Sequence, residues 1–125
     1  MAAPERIEPR EFLAKQKHIV LAVVDEDGRP WAVPVAMQHY RKGKLEWISK
    51  TDTIHSRAIA ANSDIAITCF VARRDGENEY GLYLRAKAKK LAPLPGGAAI
   101  YRAEITEAWY NDHAHKKTRI DTASM

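Results

Sequence analysis

Residues 18–40 read HIVLAVVDEDGRPWAVPVAMQHY, and two apolar runs flank a short polar segment in this stretch. The first run is dominated by β-branched and aliphatic side chains, and the Asp-Gly pair in DEDGRP is typical of a turn that closes a hairpin. The stretch therefore predicts a β-hairpin. Pro34 lies inside the second strand and has no amide hydrogen for a ladder. Its position predicts an edge, a bulge or a place where something other than a strand lies alongside.

Outside this hairpin, turn residues divide the chain into further short elements. Pro9 and the spacing of Phe12 and Leu13 predict a helix over residues 9–17. A proline-glycine break is predicted at 92–97. The other apolar runs predict strands at 45–49, 64–74, 79–91 and 99–110 and a helix at 53–62. The polar stretch 111–125 carries no prediction.

This succession of about six strands with one interposed helix indicates a mainly β (α+β) fold. An antiparallel sheet of that size commonly avoids open edges by curling into a barrel. We therefore expect a single domain over residues 1–125, built as a six-stranded antiparallel β-barrel with short flanking helices.

Composition sets limits on function. The 125 residues are 46% hydrophobic and 29% charged, so a core can form without a metal or a disulfide, and Cys69 in the apolar run DIAITCF is expected to be buried and inert. The formal net charge of +4 comes from dispersed bases, so nucleic acid is not an expected partner. Because the sequence has no signal-peptide core and no apolar run long enough to cross a bilayer, we predict a cytoplasmic protein with no membrane association.

The stretch SKTDTIHSR at 49–57 follows a predicted strand and opens a predicted helix. Backbone N–H groups at a helix start lack partners and carry the positive end of the helix dipole, which favours an anion. Lys50 and Arg57 would add full positive charges. The alternative is plain helix capping by Asp52 or Thr53, with the bases pointing to water. The residues alone leave both interpretations open.

Other chemical motifs are absent from the sequence. It has no P-loop, dinucleotide glycine fingerprint or Gly-x-Ser-x-Gly elbow. Of the five histidines only His113 and His115 lie close together, without a cysteine or carboxylate cluster, so no metal site is predicted. No residue is assigned a catalytic role, and any redox chemistry would need a cofactor.

Trp109 ends the last predicted strand, and Arg119 follows it in the polar C-terminal stretch. Most tryptophans pack in a core or an interface. The residues alone therefore favour a Trp109 that packs in the barrel and a solvated tail.

Three features in order resemble the pyridoxamine 5'-phosphate oxidase-like family of FMN-binding split barrels. They are the turn DGRP followed by VPV in the next strand, the strand-to-helix run with a basic residue before AN, and a later strand that begins GLYL. The resemblance covers roughly residues 9–91. It implies a split barrel, an FMN cofactor and a homodimer with two sites shared between the subunits.

The resemblance also implies residue roles. The strand with Val33, Pro34 and Val35 would run along the isoalloxazine ring. Trp109 and Arg119 match a tryptophan and an arginine that close over the flavin from the other subunit. The FMN phosphate would lie at the strand-to-helix stretch, at Ser49, Lys50, Thr53, His55 and Arg57.

The chain departs from the oxidases at several positions. Val33 and Gln38 stand where the oxidases have basic phosphate ligands, and His55 stands in place of the usual helix lysine. His115 and Lys117 stand where the oxidases carry their substrate residues. The resemblance therefore implies an FMN-dependent oxidoreductase of unknown substrate. The alternative is a non-catalytic protein of the same fold that binds a flavin, a deazaflavin or haem.

Overall fold

The computed structural model describes residues 7–71, 79–112 and 116–125. It contains two short α-helices, seven strands and a terminal 3₁₀ turn. In chain order these are α1 (Pro9–Ala14), β1 (His18–Val24), β2 (Pro30–Arg41), β3 (Lys44–Lys50), α2 (Ile54–Ala61), β4 (Asp64–Val71), β5 (Tyr80–Leu94), β6 (Ala98–Asn111), β7 (Lys117–Ile120) and the 3₁₀ turn (Thr122–Ser124).

Six of the strands form a closed antiparallel barrel. The strand order is β3-β2-β1-β4-β5-β6-β7, and β3 also pairs with β6, which joins the two ends of the sheet. The seventh strand, β7, pairs with the C-terminal end of β6 outside this ring. The predicted fold class is therefore confirmed, and one strand is added to it.

The β1–β2 hairpin forms as predicted, and the other strands differ from expectation mainly at their ends. Helix α1 stops at Ala14 rather than at residue 17, because the Gln16 side chain and backbone turn back onto the last helical carbonyls. Strand β5 runs into the predicted break, where Pro93 pairs with Ala99. The turn itself is made by Gly96 and Gly97 at φ of 81° and 79°, a region that favours glycine. The predicted strand residues 72–74 lie outside the described residues.

The polar C-terminal stretch is ordered over residues 116–125, which its composition did not predict. Lys117–Ile120 pairs with β6, and the side chains of Ile120 and Met125 are buried. The Tyr40 hydroxyl also donates a hydrogen bond to the main-chain oxygen of Met125. Two apolar residues in a polar segment were too weak a signal for a strand.

The barrel interior holds the core, because alternate residues of each strand face inward. Helix α1 adds Leu13, and α2 adds Ala58 and Ile59. Burial raises the pKa of the Cys69 thiol to about 12, so the cysteine is inert as expected. The largest fully buried side chains are Trp47, Leu13, Ile19, Leu21, Leu45, Ile67, Leu82 and Leu84.

No helix within the described part of the chain is both long enough and apolar enough to span a bilayer.

The core makes a direct stability prediction. Leu82→Ala removes a side chain that is 0% exposed, so we expect the free energy of unfolding to fall by about 2–5 kcal/mol. Leu91→Ala, on the same strand but 38% exposed, should lower it by less than about 1 kcal/mol. Chemical denaturation of both variants checks this, and equal losses would contradict the assigned core.

Candidate functional site

The barrel is split between β2 and β3. Strand β2 pairs with β3 only from Met37 onward, while residues 48–50 of β3 pair with β6 instead. Residues 30–36 of β2 pair with β1 alone. One backbone flank of β2 is therefore left without a neighbouring strand in the described structure.

Pro34 lies on this flank. The amide of Met37 donates to the Lys17 carbonyl beside β1. Since successive backbone groups of a strand point to opposite sides, the carbonyls of Ala32, Pro34 and Ala36 point away from β1 into the split. Pro34 needs no ladder partner there, which confirms the predicted edge position.

The side chains of the VPV stretch take different directions. Val35 is buried and Val33 is half-buried, and both belong to or pack against the core. Pro34 is exposed. Ligand contact along this strand would therefore come from its backbone and from Pro34.

Helix α2 contacts both β1 and β2, and its residue Arg57 reaches the turn between these two strands. Thr53 is its N-cap, and the Thr53 hydroxyl accepts from the Ser56 amide at 3.2 Å. The Ser56 hydroxyl donates to the Lys50 carbonyl at 2.7 Å. Helix capping, one of the two interpretations of this stretch, is therefore present. It already engages the hydroxyls of Thr53 and Ser56.

His55 is buried at the same helix start, with 8% of its surface exposed. Its Nε2 atom lies 2.9 Å from the Ser49 hydroxyl and 3.4 Å from that of Thr53. Burial lowers the pKa of His55 below 6.5, because the charged imidazolium would lose hydration. At neutral pH the residue therefore contributes hydrogen bonding rather than positive charge.

Two exposed cations remain at this place, Lys50 and Arg57. The Arg57 Nε donates to a Glu26 carboxylate oxygen in the β1–β2 turn. That turn is held by Asp25, whose side chain accepts from the amides of Asp27 and Arg29 at 2.9 Å each. Arg57 is therefore paired rather than simply pointing to water.

A second cluster lies on the outer face of β5, β6 and β7. Trp109 is half-buried and lies outside the core, so the predicted core packing is wrong. The guanidinium carbons of Arg85 and Arg119 lie 5.5 and 5.4 Å from the centre of its ring. The Glu107 carboxylate bridges both arginines at 3.2 Å each. Cation–π and charge contacts together make Trp109 part of an ordered surface.

Tyr83 extends this cluster, which we call the Trp109 surface: Tyr83, Arg85, Glu107, Trp109, Lys117 and Arg119. Tyr83 pairs with Trp109 across β5 and β6, and the Lys117 amine lies 4.6 Å from the Tyr83 ring centre. Aromatic and basic residues thus interleave on this face, both along β5 and across the neighbouring strands.

The structure brings together part of the predicted site. Ser49, Lys50, Thr53, His55 and Arg57 meet at the start of α2, next to the strand that carries residues 33–35. Trp109 and Arg119 pair with each other but lie on β6 and β7, neither of which pairs with β2 among the described residues. His115, a candidate substrate contact, lies outside the described residues.

Sequence reasoning missed Glu26, Arg85 and Glu107. Arg85 and Glu107 form a cross-strand pair. The alternation of apolar and polar residues in LYLRAK and ITEAW could have placed both on the outer face. Glu26 carried no signal, because its partner Arg57 lies 31 residues away. Among residues 7–71, 79–112 and 116–125, no three His, Cys, Asp or Glu side chains are placed to hold a metal ion.

No family model matches the chain. No curated protein matches it either.

Solved structures match over most of its length. A haem-binding protein from Mycobacterium smegmatis superposes with a TM-score of 0.80 at 13% identity, covering 92% of this chain and 57% of that protein. A Clostridium acetobutylicum protein related to general stress protein 26, of the pyridoxinephosphate oxidase family, gives 0.69 at 14%, covering 89% of each chain. The chain has the fold of the pyridoxamine 5'-phosphate oxidase-like split barrels.

An FAD-binding protein from Mesorhizobium loti is a further split barrel, with a TM-score of 0.67 at 15% identity over 80% of this chain and 88% of that one. The resemblance drawn from the sequence is therefore confirmed as a statement about fold. Split barrels at such low identities carry different cofactors, so the cofactor has to be argued from this chain's own residues.

His55 gives this site a pH signature. The unfolded chain binds a proton at His55 below about pH 6.5 and the buried residue resists it, so stability is lost as the pH falls through that value. We expect the melting temperature of the wild type to drop more between about pH 7.5 and 5.5 than that of His55→Gln, which cannot titrate and keeps a hydrogen-bonding side chain. Thermal unfolding followed by circular dichroism checks this, and parallel pH profiles would contradict it.

Proposed function

We propose that this split barrel is a homodimeric FMN-dependent oxidoreductase of the cytoplasm, acting on a small-molecule substrate at two sites shared between the subunits. The observation that carries the proposal is the open backbone flank of β2 beside the start of α2. The two elements together offer a polar strand edge and two exposed cations, Lys50 and Arg57.

The β2 flank suits the edge of a flat heterocycle. The carbonyls of Ala32, Pro34 and Ala36 face the split, and Ala32 and Ala36 also carry amide hydrogens on that side. All three residues are exposed and have small or compact side chains, so a ring can approach the backbone closely. These residues fit the alternating acceptors and donors of an isoalloxazine edge.

The start of α2 suits a phosphate. Lys50 and Arg57 supply charge, and the helix dipole adds to it. His55 stays neutral and the hydroxyls of Thr53 and Ser56 are engaged in the cap, so the two cations carry most of the electrostatic attraction. Ser49 and Thr53 would contribute less to phosphate binding, because their hydroxyls lie within hydrogen-bonding distance of His55.

The outer face of β2, β1 and β4 suits a second copy of the chain. Ala32, Ala22 and Ala66 form a cross-strand row of small exposed residues, which allows close approach. Phe70 and Val24 lie on the same face with 64% and 42% of their surfaces exposed. A self-complementary dimer would bury this apolar face.

In such a dimer the Trp109 surface belongs to the partner's site. Trp109 would cover part of the flavin of the other subunit, and Arg119 would stabilise negative charge near its pyrimidine end. Bound FMN would supply the hydride chemistry, while the chain binds, orients and shields it from water. Lys117 and Arg119, which lie over the Tyr83 and Trp109 rings, are the described cations that we expect to meet an anionic substrate.

A second candidate is a non-catalytic carrier of a flavin, a deazaflavin or haem. The superposition on a haem-binding protein supports it at the level of fold. His55 is neutral and hydrogen-bonded, so the geometry at the start of α2 gives none of the described side chains an evident acid–base role. The two candidates differ in what the purified protein absorbs and whether the bound group turns over.

The proposal predicts both a cofactor and an oligomer. We expect the purified chain to bind FMN with a flavin absorption spectrum and to scatter light as a species of about twice 14.1 kDa. A Soret band instead would favour the haem carrier. A monomer at micromolar concentration, or absence of FMN binding, would contradict shared flavin sites.

Substitutions of Arg57 and Glu26 should change FMN affinity in opposite directions. Arg57→Ala should weaken FMN binding by about 1.5–3 kcal/mol if the guanidinium holds the phosphate. Glu26→Gln should strengthen it by up to about fivefold, because it frees Arg57 from an exposed ion pair worth no more than about 1 kcal/mol.

Riboflavin, which lacks the phosphate, is the matched control ligand. Its affinity should be nearly the same for the wild type and both variants in fluorescence titrations. Unchanged FMN affinity in Arg57→Ala would mean that Arg57 serves only the turn that carries Glu26.

A further inference from the structure

Two adjoining clefts of about 380 Å³ each open on the side of the barrel away from β1 and β2. The first lies on the outer face of β3, β6 and β5, and the second lies between α2 and the ends of β5 and β6. Ser63, Ala88 and Lys89 line both, so the two form one continuous furrow, which we call the double cleft. Each part has the size of a small-molecule site.

Cations dominate the lining of the double cleft, and Glu104 is the one carboxylate among the described residues that line it. Three of the cations have ion-pair partners: Arg57 with Glu26, Lys87 with Asp64 and Arg102 with Glu46. The other three, Lys44, Lys89 and Lys90, have no ion-pair partner in the described part of the chain.

The register of β3, β5 and β6 places three lysines of the furrow close together. Lys44 and Lys87 flank Glu104 on either side of β6, and Lys89 stands beside Arg102 in the next row. Like charges at neighbouring cross-strand positions destabilise a sheet. Lys89 and Arg102 form such a like-charged pair, and Glu104 is the one acidic residue between Lys44 and Lys87. The surface therefore keeps a net positive charge, which favours an anion.

A bulge in β5 accompanies the outward position of Lys90. The β5–β6 register shifts between Lys90 and Ala92. Lys90 pairs with the buried Tyr101, and strict alternation would turn it inward. Instead Lys90 is exposed and lines the part of the furrow beside α2, while Lys89 lies in both parts. Bulges that re-aim side chains are common next to binding sites.

We propose that the double cleft binds a phosphorylated small molecule with at least two anionic groups. Lys44 and Lys87 lie two strands apart, about 10 Å between backbones, and the second part of the furrow extends beyond Lys89. A single phosphate cannot meet these cations together, whereas a nucleotide-sized anion can. The furrow meets the proposed phosphate site at Arg57, which lines its second part, while Lys44, Lys87 and Lys89 lie beyond that site on β3 and β5.

Isothermal titration of the full chain with inorganic tripolyphosphate tests this site. We expect saturable binding of one tripolyphosphate per chain, weakened at least tenfold in Lys89→Gln. Lys15→Gln removes an equally exposed lysine from the end of α1 and should bind like the wild type. Riboflavin carries no phosphate, so its affinity should be unchanged in Lys89→Gln. Tripolyphosphate binding is measured directly, so this test stands whether or not the flavin proposal holds.

Three results would overturn the proposal. They are no saturable binding by the wild type, equal weakening in Lys15→Gln and Lys89→Gln, and a Lys89-dependent affinity for a single-stranded oligonucleotide without any for tripolyphosphate. The second result would mean attraction by net charge alone, and the third would assign the furrow to nucleic acid.

Discussion

The ladder between β3 and β6 is the constraint on which the rest of the structure depends. Seven residue pairs, from Lys44 with Glu104 to Lys50 with Ala98, join strands that would otherwise be the two edges of a six-stranded sheet. Closing the ring here draws the end of β3 away from β2. The interior becomes a closed core. The split lies at the same place, because residues 48–50 of β3 follow β6 and no longer pair with β2.

The start of α2 shows how local structure and ligand binding compete for the same groups. Thr53 and Ser56 close the helix start by themselves, and Glu26 holds Arg57 from a rigid turn. A helix start completed in this way keeps its shape without a ligand. Binding an anion there therefore requires little ordering of the chain but does require exchange of one partner for another.

Local patterns decided how far the sequence could predict this protein. The hairpin at 18–40 and the cap at Thr53 were predictable because apolar alternation, Asp-Gly and a threonine before a helix act within a few residues. The ladder that closes the barrel and the Glu26–Arg57 pair join residues far apart in the chain, which no single-sequence pattern specifies. The strand count and the avoidance of open edges predicted that the sheet closes, but not that β3 and β6 are the strands that close it.

The outer surfaces were harder to predict than the core. Trp109 resembled a core residue by type, and only the strand register shows that it faces outward between two arginines. Residues 116–125 were misjudged for the opposite reason, since Ile120 and Met125 are too few to reveal a packed segment by composition. Whether Trp109, Ile120 and Met125 are buried depends on the direction of their side chains, which residue type does not reveal.

Strand β7 lies outside the closed ring and pairs with β6 over four residues. Its hydrogen bonds can therefore break without opening the barrel, so we expect β7 to open locally at a lower free energy than the barrel strands. The β7 amide protons that bond to β6 should exchange with solvent through this local opening, while those in the β3–β6 ladder exchange only through global unfolding. Of the two arginines over Trp109, Arg119 thus lies on a strand that can detach while Arg85 stays in the barrel.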